Sequence, residues 1–160
     1  MKKINYLYGE IRKSEAAHIM NILGIDEKST VIDIGCGNAR FLCALMKESG
    51  CKGIGVEPTY EYYVKAQARR KLKGLGDRLE LKNTHYPCKL DSKYTHAIIH
   101  GCAWEKSNIM PVYRAIPKGV KVFHNSFAFN RENRNMDQAQ FMVKTSYLRD
   151  LGTRFWYHKK

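Results

Sequence analysis

The sequence predicts a doubly wound α/β fold, with a mostly parallel sheet of the seven-stranded type and a C-terminal antiparallel hairpin. Segments rich in β-branched residues alternate with segments of helical periodicity, which is typical of βαβ units. Two strand-like segments near the end of the chain flank a turn at Asp150-Leu151-Gly152 and predict the hairpin. The 160 residues fit a single domain, because domains commonly span about 100–200 residues.

Each element follows from a local pattern. Ser14 is a suitable N-cap for the first helix, and Gly24 ends that helix. Residues 83–95 contain a proline and little periodicity, so the helix that usually separates the third and fourth strands is expected to be missing. Helices are expected over about residues 14–23, 38–49, 60–73 and 108–116, and strands over about 30–34, 53–56, 79–82, 96–100, 120–127, 141–148 and 154–158.

The charge is unusual for a domain of this size. The formal net charge is +13, of which residues 1–64 contribute nothing, residues 65–82 contribute +5, residues 83–113 contribute +1 and residues 114–160 contribute +7. Such an excess favours an anionic partner, here a nucleosome, DNA or RNA, although a solvated helix face explains the first basic cluster equally well. The basic residues concerned are Lys65, Arg69, Arg70, Lys71, Lys73, Arg131, Arg134, Lys144, Arg149, Arg154, Lys159 and Lys160.

Several classes of protein are not expected. No apolar run approaches the ~18 residues of a membrane span, and the N-terminus lacks the apolar region of a secretory signal. We therefore expect an intracellular protein of the cytoplasm or nucleus, not a secreted one. The five cysteines, Cys36, Cys43, Cys51, Cys88 and Cys102, contain no Cys-x-x-Cys pair, so no metal site and no disulfide framework are predicted.

The strongest chemical signal lies where the first strand meets the second helix. Gly35 and Gly37 follow the strand, and glycines there allow a tight turn and the close approach of a ligand to the backbone. Glu57 comes 20 residues after Gly37, at the end of the next strand. A carboxylate at that position can accept hydrogen bonds from a ribose diol, so the sequence predicts a nucleoside site.

The residues around the glycines distinguish between cofactors. A dinucleotide fingerprint would place a third glycine at position 40, where this chain has Arg40. Asp33 would repel a pyrophosphate but suits a cofactor with a cationic amino group and a sulfonium, and S-adenosyl-L-methionine carries both. The Asp-x-Gly-x-Gly run and the later Gly-Val-Glu are similar to motif I and the segment that follows it in class I methyltransferases. The resemblance implies a Rossmann-like fold, S-adenosyl-L-methionine as cofactor and S-adenosyl-L-homocysteine as product.

The N-terminal run Tyr6-Leu7-Tyr8-Gly9-Glu10-Ile11 resembles the Tyr-Gly-Glu segment of the Dot-type (disruptor of telomeric silencing) histone lysine methyltransferases. The resemblance covers about residues 6–70 and implies methylation of a protein lysine, in a histone or another nucleic-acid-associated protein. It also implies that Tyr8 folds over the cofactor as a lid. The cofactor-binding residues that it implies are Tyr8, Glu10, Asp33, Gly35, Gly37, Arg40, Glu57, Asn83 and Thr84.

The acceptor side departs from that family. The Asn-Asn-Phe-Ala-Phe run that lines the family's lysine channel is replaced by His100-Gly101-Cys102-Ala103-Trp104. An aromatic channel would favour the neutral lysine amine by desolvation, so Tyr8 and Trp104 are expected in its wall. His100, at the end of the fourth strand, is the candidate that would assist deprotonation, and these three are the expected catalytic residues. An RNA or DNA methyltransferase, or a non-catalytic nucleic-acid-binding protein on the same fold, remain the alternatives.

The organisation expected from these motifs is one methyltransferase domain over residues 1–160. Residues 1–24 would supply the N-terminal lid and helix, residues 30–82 the cofactor-binding half and residues 96–160 the acceptor-side half.

Overall fold

A computed structural model describes residues 13–100, 111, 112, 114–125, 142–148 and 153–159. Its sheet contains five parallel strands in the order β3-β2-β1-β4-β5, so the predicted Rossmann-like architecture is confirmed. The five strands are β1 (Thr30–Ile34), β2 (Lys52–Val56), β3 (Leu79–Lys82), β4 (His96–His100) and β5 (Lys121–Asn125).

Two further strands, β6 (Met142–Leu148) and β7 (Thr153–Lys159), continue the sheet in the order β5-β7-β6. Both pair antiparallel, and Lys121 of β5 is in register with Lys159 of β7. The turn predicted at Asp150-Leu151-Gly152 lies outside the described residues, so the C-terminal hairpin stays a prediction.

The described residues form the helices α1 (Lys13–Leu23), α2 (Arg40–Ser49) and α3 (Tyr60–Leu72). The prediction began α2 at about residue 38, two residues too early, because Ala39 has left-handed backbone with φ 55° and ψ 24°. Residues 111, 112, 114 and 115 are helical, which is part of the helix predicted over residues 108–116.

The two faces of the sheet bury different sets of side chains. One face packs against α1 and α2 through fully buried residues such as Leu23, Leu42 and Phe123. The other face buries the alternate residues of the same strands, Ile32 and Ile99 among them. Because the central strands are covered on both faces, most residues of β1 and β2 are buried, Asp33 among them.

An extended segment covers the second face between β3 and β4, where no helix occurs among the described residues 83–95. Tyr86 is buried there, its hydroxyl lies 2.6 Å from that of Tyr94, and it donates to the carbonyl of Ala115 at 3.2 Å. The prediction of a missing helix is therefore confirmed, and Tyr86 and Tyr94 pack against the core of the second face.

The strand order places a topological switch between β1 and β4. The chain runs outward from β1 through β2 to β3, and then returns to β4 on the other side of β1. The paired residues of β1 and β4 run from Val31 and His96 to Asp33 and Ile98, although both strands continue beyond that point. Ligands of open α/β sheets bind in the crevice at the carboxyl ends of such strands.

Candidate functional site

The glycine loop, residues 35–39, leaves the carboxyl end of β1 at this switch. Gly35 and Gly37 have φ of 81° and 53°, values that side chains with a Cβ rarely adopt. The N–H groups of Gly35 and Cys36 both donate to the Val56 carbonyl, at 2.8 and 3.1 Å, and so tie the loop to the end of β2. Asn38 Oδ1 then accepts the Arg40 N–H at 3.2 Å, where α2 begins.

Beneath this loop, β2 lacks a side chain at Gly55. A Cβ at that residue would lie 2.8 Å from Cys36 Sγ and 2.7 Å from Leu81 Cδ2, closer than real Cβ atoms approach their neighbours. Glycine at this position therefore lets the glycine loop pack directly on β2.

Glu57 follows β2 and joins the glycine loop to the start of α3. The residue is 6% exposed, and its carboxylate accepts the Gly37 N–H at Oε2 and the Thr59 N–H at Oε1, both at 2.8 Å. These bonds connect two segments that are 20 residues apart in the sequence. The structure therefore brings Glu57 into direct contact with the second glycine of the loop.

Asp33 is the buried acidic group of the site. It is 3% exposed on β1, and burial raises the pKa of its carboxyl to about 7, with a further contribution from the negative charge of Glu57. A carboxyl that is half protonated near neutral pH responds strongly to any positive charge placed beside it.

Asn83 and Thr84 follow β3 at the same edge of the sheet. The Asn83 amide donates to the carbonyls of Glu57 and Pro58, at 2.8 and 3.1 Å, so the structure brings this residue next to the end of β2. Both Asn83 and Thr84 are exposed. Their predicted position beside an adenine ring stays a prediction.

The structure does not bring the remaining predicted site residues together with Asp33 and Glu57 in the part of the chain that it describes. Arg40 is the exposed first residue of α2. His100 ends β4 and is in register with Asn125 of β5, but its side chain is outside the described part of the structure. Tyr8, Glu10 and Trp104 lie outside the described residues altogether.

Arg69 is a residue near the site whose contact the sequence did not indicate. Its guanidinium donates from Nη1 to the carbonyl of Asn38 in the glycine loop, 31 residues away in the chain. In the sequence Arg69 belongs to a basic cluster, and its contact could not be predicted because a backbone carbonyl carries no sequence signal.

Arginines of the first basic cluster and its neighbourhood bind backbone carbonyls of this chain. Arg70 donates to the Gly76 carbonyl, and Arg78 donates to those of Met46 and Cys51 at 3.2 and 2.9 Å. The side chains of Lys65, Lys71 and Lys73 are exposed. The arginines of this cluster therefore bind backbone carbonyls of the chain, whereas its lysines are exposed to solvent.

Within the described ranges, no group of three or more His, Cys, Asp or Glu residues is arranged to hold a metal ion. The cysteines Cys36, Cys43, Cys51 and Cys88 are free thiols. None of the described helices is both long and apolar enough to cross a membrane.

Comparisons with known proteins identify the fold. No protein-family model matches the sequence, and no curated protein matches it either. Solved structures match closely in shape, among them an RNA methyltransferase from Salinibacter ruber in complex with S-adenosyl-L-homocysteine. That match has a TM-score of 0.69 and 17% identity, and covers 92% of this chain and 90% of the other.

Two further structures resemble the chain over most of its length. The C-terminal domain of precorrin-6Y C5,15-methyltransferase from Rhodobacter capsulatus has a TM-score of 0.69 and 17% identity, with 95% of this chain and 92% of that domain covered. The tRNA (m1A58) methyltransferase from Aquifex aeolicus has a TM-score of 0.65 and 14% identity, with 94% and 69% covered. The chain spans about half the length of three other neighbours, 51%, 49% and 48%.

These likenesses show that the chain has the Rossmann-like fold of class I methyltransferases. At such low identities they establish the fold and leave the activity to be argued from the site. The neighbours give no support to the Dot-type resemblance inferred from the N-terminal segment.

Proposed function

We propose that the protein is an S-adenosyl-L-methionine-dependent methyltransferase. The observation that carries the proposal is the Glu57 carboxylate held against the glycine loop by the Gly37 N–H, with the buried Asp33 on the adjoining strand. All of these groups lie at the carboxyl ends of β1 and β2, where open α/β sheets bind their ligands.

Glu57 has the acceptor capacity that a ribose needs. Each of its oxygens accepts one backbone N–H, whereas an ionised carboxylate offers about four acceptor positions. The two remaining positions suit the two hydroxyls of a ribose diol, so Glu57 can bind the sugar without releasing the loop. The site is thus preorganised for a nucleoside.

Asp33 and the glycines suit the other end of the cofactor. A carboxylate at the base of the loop attracts a cationic amino acid moiety and disfavours a pyrophosphate. Gly35 and Gly37 would line the cofactor with bare backbone, and Arg40 would lie at the start of the following helix. When bound, S-adenosyl-L-methionine supplies a methyl group that its sulfonium has already activated.

We propose the remaining roles on the same basis. Asn83 and Thr84 would flank the adenine, since both follow β3 beside the end of β2. Tyr8 and Glu10 would close over the cofactor, with Trp104 and His100 on the acceptor side. Residues 30–82 would then form the cofactor-binding half of a single domain, and residues 96–160, including a C-terminal hairpin, the acceptor-side half.

RNA is the acceptor class that we favour. Two structures of similar fold are described as RNA or tRNA methyltransferases. The chain also carries a formal net charge of +13, with exposed lysines on α3, and such charge attracts a polyanion. A protein lysine is the second candidate, because the Tyr6–Glu10 segment resembles that of lysine methyltransferases.

Transfer of labelled methyl from S-adenosyl-L-methionine to tRNA, ribosomal RNA, DNA, nucleosomes and free histones, measured in parallel, tests the proposal. We expect label in RNA with the wild-type chain and none with Asp33→Asn, whereas Asp77→Asn, which changes an exposed aspartate, should behave as wild type. Label confined to histone protein would favour the lysine acceptor. Binding of RNA without any methyl transfer would contradict the transferase and favour the non-catalytic alternative.

A further inference from the structure

We propose that Arg69 is a positioning residue that holds the glycine loop in the shape required for cofactor binding. The inference rests on the proposed function and assigns a role to a residue outside the motifs. Its basis is the hydrogen bond from the Arg69 guanidinium to the Asn38 carbonyl. Because the donor is charged, this bond is stronger than one between neutral groups.

Two adjacent residues of the glycine loop are held by side chains from the segment that runs from the end of β2 through α3. Glu57 accepts the N–H of Gly37, and Arg69 donates to the carbonyl of Asn38, the next residue. Glu57 immediately precedes α3 and Arg69 lies within α3, so both anchors belong to the β2–α3 segment. The loop therefore has a negative anchor on its N–H side and a positive anchor on its carbonyl side.

The backbone after Asn38 needs such an anchor. Ala39 adopts φ 55°, a left-handed conformation that costs a residue with a Cβ about 1–3 kcal/mol and persists only where the surroundings enforce it. Ala39 is itself fully buried, and its N–H donates to the Cys36 carbonyl at 2.8 Å. Fixing the Asn38 carbonyl holds the peptide group that leads into this strained residue.

A loop held in this way binds its ligand with a smaller ordering cost. The backbone N–H and Cα groups that face the ligand are already placed, so little conformational entropy remains to be lost on binding. Arg69 would thus affect cofactor affinity without touching the cofactor. Its neighbour Arg70 bonds away from the loop, to the carbonyl of Gly76.

Arg78 provides a matched control. It also donates to backbone carbonyls, those of Met46 and Cys51, but these lie at the far end of α2 and just before β2. Loss of either arginine removes a guanidinium-to-carbonyl interaction from the same domain. Of these two arginines, Arg69 is the one whose hydrogen bond reaches the glycine loop.

The experiment compares Arg69→Met, Arg69→Lys and Arg78→Met with the wild-type chain in two measurements. The first is amide hydrogen exchange at Gly37 and Ala39 in the ligand-free chain, which needs no cofactor. The second is calorimetric titration with S-adenosyl-L-homocysteine. We expect Arg69→Met to speed exchange at both amides and to raise the Kd by up to about tenfold, because the ligand must then order a loop that this charged hydrogen bond no longer holds.

Arg69→Lys should restore part of the affinity, and Arg78→Met should lower the melting temperature while leaving both readouts at wild-type values. Wild-type exchange in Arg69→Met, or equal effects of Arg69→Met and Arg78→Met, would overturn the proposed role of Arg69. A wild-type chain that binds no S-adenosyl-L-homocysteine would refute the proposed function, and the exchange rates would still decide whether Arg69 anchors the loop.

Discussion

Replacing Glu57 with alanine is expected to weaken the binding of S-adenosyl-L-homocysteine at least about a hundredfold, since it removes two charge-assisted hydrogen bonds to the ribose. The change also removes the acceptor for the N–H groups of Gly37 and Thr59, so the loop loses its negative anchor. Calorimetric titration at constant pH measures the effect.

Glu61→Ala is the control for this prediction, because Glu61 is an exposed carboxylate in the first turn of α3. It should bind the product as the wild type does. Glu57→Gln preserves the size of the side chain and distinguishes lost charge from lost volume. Wild-type affinity in folded Glu57→Gln and Glu57→Ala would show that Glu57 does not bind the cofactor.

Replacing Asp33 with asparagine is expected to stabilise the ligand-free chain and to remove part of its pH dependence. The pKa of Asp33 is raised from 3.8 in its ordinary state to about 7 in the fold. Its contribution to stability is therefore complete below about pH 4 and is lost as the pH rises through 7. The ionised form of Asp33 is disfavoured because its carboxylate is buried and near the negative charge of Glu57.

The difference in free energy of unfolding between Asp33→Asn and the wild type should therefore be about 2–3 kcal/mol larger at pH 8 than at pH 5, in favour of Asp33→Asn. Urea unfolding at both pH values measures it, with Asp77→Asn as the control at an exposed position. A constant difference across this range would mean that Asp33 titrates normally.

The affinity for the cofactor should rise with pH, whereas the stability of the ligand-free chain should fall. A cationic ligand requires the ionised form of Asp33, so below pH 7 binding must release a proton, and the affinity of the wild-type chain for S-adenosyl-L-methionine should fall by up to tenfold per pH unit. Asp33→Asn should bind weakly at every pH, because it offers no charge to the ligand.

The sequence was sufficient to predict the parallel sheet and the strand ends at which Gly35, Gly37 and Glu57 lie. The β-branched run at Thr30–Ile34, the two glycines and the 20-residue spacing to Glu57 are local or short-range patterns, and each has a direct physical reason. The missing helix between β3 and β4 was also predictable, because residues 83–95 lack periodicity.

Other features depend on contacts between distant residues and could not be predicted. The start of α2 was misplaced because the left-handed backbone occurs at Ala39, a residue type with no preference for it. Arg69 was indistinguishable in the sequence from the exposed lysines of α3, since its partner is a backbone carbonyl 31 residues away. The pKa of Asp33 arises from burial, which only the packed fold supplies.

The most direct test of the proposed cofactor site is calorimetric titration of the wild-type chain with S-adenosyl-L-homocysteine and, under identical conditions, with NAD. Both ligands carry an adenosine that Glu57 could hold, but only NAD brings a pyrophosphate toward Asp33 and the glycine loop. We predict that S-adenosyl-L-homocysteine binds with one site per chain and that NAD does not bind. Binding of NAD, or of neither ligand, would contradict the assignment.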